Sequence, residues 1–207
     1  MLTVKLDRDP YDDRILFTGK LTREIPEGIT ILTGCNGFGK TTILNSIKSK
    51  YIRDKNYKIL DWANTTSKRD AKDIMARSQN FDILASLAFS SEGEEINTNI
   101  GILASRIGGF MKESLGKNLI ILLDGMDSGF SIDNIIEVKE FFHDFVLKDA
   151  KENNVECYIL ITANEYELTV GERCIDARSG KEVSFENYDE YKKYILKTRK
   201  TKNQSQK

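Results

Sequence analysis

Residues 28–45 read Gly-Ile-Thr-Ile-Leu-Thr-Gly-Cys-Asn-Gly-Phe-Gly-Lys-Thr-Thr-Ile-Leu-Asn, and no other stretch of this chain restricts its fold as much. A β-rich run is followed by a glycine-rich turn and then by a segment whose apolar residues recur at helical spacing. Within it, Gly34, Gly39, Lys40 and Thr41 match the phosphate-binding pattern of two spaced glycines followed by Lys and Ser/Thr. The chemistry explains the spelling. Glycines let the backbone bring its N–H groups up to phosphate oxygens, and the helix that follows points its positive end at the same anion. Lys40 is then placed to reach the outer phosphates of a nucleotide, and Thr41 to offer its hydroxyl to Mg²⁺. Asn36, Gly37, Phe38 and Thr42 belong to the same binding stretch.

A second feature depends on the first for its meaning. Leu119-Ile120-Ile121-Leu122-Leu123 is a continuous apolar run ending in Asp124, which fits a strand buried on both faces of a parallel sheet. Open α/β sheets place ligands at the C-terminal ends of such strands, so Asp124 joins Thr41 as a candidate Mg²⁺ ligand. The fold class expected is α/β: a P-loop NTPase with a mainly parallel central sheet and a small N-terminal antiparallel β layer. That layer is assigned to Leu2–Leu6 and Ile15–Leu21, on either side of a charged turn around Pro10.

The rest of the chain supplies expected scaffolding. Helices are read over about 41–53, 69–77 and 96–112, and strands over 57–62 and 155–162. Ser131 or Asp133 caps a helix whose apolar face is Ile132, Ile135, Ile136, Val138, Phe141, Phe142 and Phe145. A hairpin turns at Ser179-Gly180 and a last helix spans about 188–198. Residues 1–196 are taken as one ATPase domain. Residues 197–207, with five basic residues and no apolar ones, are taken as a disordered basic tail.

Composition excludes more than it identifies. The 207 residues carry 31 basic and 32 acidic side chains, a formal charge of −1, so bulk attraction gives no argument for nucleic acid. No apolar run is long enough to span a membrane, and the N-terminus lacks the apolar core of a signal peptide; a cytoplasmic address is expected. Cys35, Cys157 and Cys174 have no metal-ligand spacing and read as reduced thiols. His143, the only histidine, reads as a surface residue of the helix after Ser131. Tyr11 and Phe17 are the aromatics upstream of the loop that can stack on adenine.

Taken together, these motifs resemble the ABC-type ATPases, and among them the soluble heads of the structural-maintenance-of-chromosomes and recombination-repair branch. The Gly34–Thr42 spelling is similar to that branch's Gly-x-Asn-Gly-x-Gly-Lys-Thr-Thr. Ser91-Glu92-Gly93-Glu94 looks like a degenerate signature motif, and Asp127–Ser131 like the dimer-contact loop. The resemblance implies two heads packed around two nucleotides, with Ser91 and Gly93 touching the γ-phosphate held by the other subunit. It also marks departures. The family's water-polarising glutamate falls at Gly125, leaving Asp127 as the candidate substitute, and its switch histidine falls near Ala163. Asn64 and Gln79 are the candidates for sensing the γ-phosphate.

The expected function is therefore an ATP- and Mg²⁺-binding head that forms an ATP-dependent homodimer, hydrolyses ATP slowly, and drives a protein partner or a DNA-associated process. A non-hydrolysing nucleotide sensor is the alternative favoured by Gly125. A transporter's ATP-binding subunit is a further one, opposed by the mere 51 positions from Lys40 to Ser91. A small-molecule kinase would leave residues 90–94 unexplained.

Overall fold

The structure, a computed structural model, describes residues 1–6, 17–18, 21–63, 94–114, 116–127 and 130–204. Six strands form the central sheet in the order β4-β5-β6-β3-β7-β8. They are β3 (Gly28–Thr33), β4 (Tyr57–Ala63), β5 (Asn118–Asp124), β6 (Cys157–Thr162), β7 (Arg173–Asp176) and β8 (Glu182–Val183). The first five are parallel and β8 alone runs antiparallel, on the β7 edge. A separate antiparallel pair, β1 (Leu2–Lys5) and β2 (Thr22–Ile25), makes the small N-terminal layer. This is the α/β architecture expected of a P-loop NTPase.

Helices cover both faces, and the alternation within β5 shows why Leu119 to Leu123 are all apolar. Leu119, Ile121 and Leu123 pack on one side, against α2 (Glu94–Glu113) and α3 (Ile132–Phe141). Ile120 and Leu122 pack on the other, with α1 (Lys40–Tyr51) and the β1–β2 layer. Each such aliphatic contributes about 2 kcal/mol relative to exposure in water. The parallel strands therefore end together, and Thr33, Asp124 and Thr162 occupy the C-terminal rim of neighbouring strands.

Three sequence expectations change. The partner of β1 is Thr22–Ile25 and not Ile15–Leu21. Phe17 is buried in the core under this layer, and Leu6 N–H donates to Leu21 O just beyond the ladder. The real strand is hard to read because Arg23 points inward. Its guanidinium donates to Arg178 O at 3.0 Å, which lets a charged residue occupy an apolar position.

The helix after Ser131 is not α-helical throughout either. A π-helical turn, Phe142–Leu147, separates α3 from α4 (Lys148–Glu152). The wider turn puts Val146 in the core and leaves Phe145 61% exposed; Ile132 and Ile136 are exposed as well. Ser131 is the N-cap, in a reciprocal box with Asn134.

The third change is at the C-terminal end. The last helix, α5 (Tyr188–Gln204), continues through residues expected to be disordered. Thr198 is buried within it, because α5 lies against the loop between β3 and α1 and is not solvated all round.

Candidate functional site

The loop from Gly34 to Gly39 is built by backbone geometry. Gly34, Gly37 and Gly39 all take positive φ, at 130°, 73° and 93°, which L-residues with a Cβ rarely adopt. Gly34 has a further constraint, since a Cβ there would run into the Phe38 ring. Phe38 is itself buried and its N–H donates to Cys35 O at 3.1 Å. Helix α1 starts directly at Lys40, with Ile43 N–H donating to Gly39 O. Its first-turn N–H groups have no intrahelical acceptor, as at any helix start, and face an anion-binding position. Thr41 and Thr42 are exposed, as are Asn36 and Gly37.

Lys40 is buried. Its ammonium donates to Gly34 O and, at 3.4 Å, to Asn164 Oδ1. Burial pushes its pKa below the usual lysine value; Asp127, Cys35 and Asp124 oppose that shift. A cation at the mouth of a glycine loop, with no ion pair to a carboxylate among the described residues, is available to phosphate.

The candidate metal ligands also converge. Thr41 Oγ1 donates to Asp124 Oδ2 at 2.8 Å, and Thr162 Oγ1 donates to Asp124 Oδ1 at 2.8 Å. Thr162 in turn accepts from Gly125 N–H at 2.8 Å. One hydroxyl and one carboxylate offer hard oxygen ligands. That fits Mg²⁺, which takes one or two protein oxygens and completes its shell with phosphate and water. Among the described residues no cluster of three or more His, Cys, Asp or Glu could hold a metal by protein ligands alone.

Asp127 stands only three residues after Asp124 but in a different environment. It is 1% exposed. One oxygen accepts from the backbone N–H groups of Asn164 and Glu165, the latter at 2.7 Å; the other accepts from Asn164 Nδ2 at 3.1 Å. A carboxylate that accepts from three donors holds the turn after β6, a structural task beside the catalytic one read for Asp127 from the sequence. Glu165 is exposed, but partial desolvation of its carboxyl, with the Asp127 and Glu167 charges, raises its pKa.

Asn164 is the residue that sequence reasoning missed. It bridges Lys40 and Asp127, and its backbone carbonyl accepts from Tyr191 at 3.0 Å. The available signal was its position just beyond the apolar strand ending at Thr162, beside the switch position sought at Ala163. Helix α5 was missed as part of the site. Thr198 Oγ1 accepts from Cys35 N–H at 3.1 Å, and Lys202 Nζ donates to Asn36 O at 2.9 Å.

Phe17 takes no part in this site, whereas His143, Cys157 and Cys174 have the surface and free-thiol character read for them. Phe17 is buried in the core and cannot stack on a base. His143 is exposed and pairs with Glu172 at 2.8 Å, on a helix that supplies nothing to this rim. Cys157 and Cys174 are buried thiols whose pKa values burial pushes up to about 12. Ser91, Gly93, Glu92, Asn64, Gln79 and Tyr11 lie outside the described residues.

A family model, that of the NB-ARC domain, matches residues 14–172. That span contains the whole loop, Asp124, Asp127 and Asn164, but not β1, β7, β8 or α5. No curated protein matches the sequence.

Proposed function

Because this chain belongs to the NB-ARC domain family, whose members are nucleotide-binding P-loop ATPase domains, we propose that it binds ATP with Mg²⁺ at the Gly34–Thr42 loop, pairs with a second copy on doing so, and turns ATP over slowly. The observation that carries this reading is the convergence of Lys40, Thr41 and Asp124 at one strand rim, with Thr41 and Asp124 2.8 Å apart. Thr41 and Asp124 would hold Mg²⁺, which would supply charge neutralisation at the outer phosphates. Lys40 would contribute the positive charge on the opposite side, and the loop N–H groups would orient the phosphate chain.

Pairing is argued from the ABC-type resemblance, with Ser91 and Gly93 reaching the partner's nucleotide. The antiparallel β1–β2 layer, whose first strand precedes the matched residues, is consistent with that branch. Slow turnover follows from the carboxylates: Gly125 replaces the usual glutamate, and Asp127 is enclosed. A protein partner, or DNA, would receive the change in assembly. Among the described residues no helix is long and apolar enough to cross a membrane.

Sedimentation velocity with and without ATP and Mg²⁺ tests the proposal, with Lys40→Ala and Ser91→Arg as controls. The expected result is a dimer formed with ATP by the native chain only. Binding without a change in sedimentation would remove the paired-head reading. It would favour the nucleotide sensor, which the enclosed Asp127 also supports.

A further inference from the structure

The closing turns of α5 stand over the phosphate loop, and a cavity of about 510 Å³ lies between them. Its walls include Gly34 and Asn36 from the loop, Asn164 from the turn after β6, and Arg199 and Lys202 from the helix. This size is within the range of small-molecule sites, about 300–1,000 Å³.

The helix is fixed there by contacts with both other walls. Tyr191 donates to Asn164 O at 3.0 Å, and Thr198 accepts from Cys35 N–H at 3.1 Å. Tyr194 donates to Asp176 at 2.6 Å and lies 3.2 Å from the Thr33 hydroxyl, at the end of β3. These anchors bring two cations to the loop. Lys202 Nζ donates to Asn36 O, and it would stand 2.6 Å from a Cβ placed on Gly37. Among the described residues, no carboxylate pairs with Arg199 or Lys202.

Basic residues near a helix C-terminus ordinarily serve the helix dipole. Lys202 instead reaches a carbonyl 166 positions away. An anion bound at the loop is a stronger partner for an ammonium than a neutral carbonyl is.

We propose that Arg199 and Lys202 form a cationic wall, supplied by the same chain, that binds the outermost phosphate of ATP. This rests on the nucleotide occupying the Gly34–Thr42 loop, as proposed above. Lys40 serves the phosphates from within the loop, and α5 serves the one phosphate that ADP lacks. The site therefore distinguishes ATP from ADP through a helix outside the residues matched by the family model. Because Tyr191 and Thr198 tie that helix to Asn164 and Cys35, its position also depends on the residues that line the loop.

The test is calorimetric titration of Mg·ATP and Mg·ADP into the native chain, the double variant Arg199→Met/Lys202→Met, Lys202→Arg and Lys40→Ala. Methionine keeps helix propensity and most of the apolar stem, so the helix is retained. The double variant is expected to lose ATP affinity by about tenfold or more while ADP affinity stays within about twofold, as expected when charge-assisted contacts to one phosphate are removed. Lys202→Arg should keep the preference for ATP. Equal losses for both nucleotides, no change in either, or tighter ATP binding would each overturn the proposal, the last showing that α5 obstructs the site. Lys40→Ala separates the two levels of inference. If it abolishes binding of both nucleotides while the double variant changes nothing, only the α5 assignment falls. If it leaves both affinities unchanged, the loop assignment falls and the α5 assignment falls with it.

Discussion

The two sides of the proposed nucleotide site are held by different physics. On the β3–α1 side, glycine dihedrals and short-range backbone bonds such as Phe38 N–H to Cys35 O set the geometry. Facing it, the turn after β6 and helix α5 are positioned by side chains acting over long sequence separations. Asp127 holds Asn164 and Glu165, Tyr191 holds the Asn164 carbonyl, and Thr198 and Lys202 hold α5 to the loop. A backbone-built wall keeps its shape when one side chain is lost, so the loss is read mainly in binding. A wall built from side-chain bonds moves when one is removed, so the loss is read in stability and position together.

Lys40→Ala should separate the two sides most clearly. Truncating the charged partner of a bound phosphate costs about 3 kcal/mol of binding, or roughly a hundredfold in affinity. The unfolding midpoint should change little, because the buried ammonium already bears a desolvation cost. An ATP affinity within about threefold of the native chain would break the assignment of this wall.

Asp127→Ala should behave in the opposite way. It leaves the N–H groups of Asn164 and Glu165 without their acceptor, at about 2–3 kcal/mol of stability for bonds made to a charged group. Denaturant unfolding should show the drop, with a smaller one for Asp127→Asn, which keeps one acceptor. Turnover lost without any shift in the unfolding midpoint would place Asp127 in catalysis alone and erase the distinction between the walls.

A pH titration sharpens the comparison on the loop side. Phosphate binding by Lys40 as proposed needs its charged form, and burial holds its pKa below the ordinary 10.5. ATP affinity should be flat at low alkalinity, then fall as pH rises through that lowered value, by about tenfold per pH unit. Affinity that holds beyond 10.5 would mean that Lys40 does not supply the charge.

The contrast also accounts for what the sequence could reveal. The loop, the strand before it and the run from Leu119 to Asp124 were legible because glycine spacing and strand burial are local properties. The different surroundings of Asp124 and Asp127 were not legible, since the two lie only three residues apart at the end of the same apolar strand. Only the fold shows that one faces two hydroxyls and the other two backbone N–H groups. The last turns of α5 read as a solvated tail because their residues are polar. Thr198 and Lys202 gain order from bonding to the loop, and no periodicity encodes that contact. Arg23 hid a strand for a related reason, its buried guanidinium donating to Arg178 O from a distant turn.

The smallest effect expected is for Gly125→Glu, which restores a carboxylate directly after Asp124. From sequence alone the substitution should raise turnover. Gly125, however, has φ of 63°, and its N–H is held by Thr162. A glutamate there must adopt a left-handed conformation at a cost of about 1 kcal/mol, or the turn must open and release the Thr162 hydroxyl that also orients Asp124. We therefore expect a loss of about 1 kcal/mol in unfolding free energy and a rise in ATPase rate of less than about tenfold. A much larger rise with unchanged stability would show that the rim around Asp124 tolerates rearrangement, and that this corner is as adaptable as the α5 side.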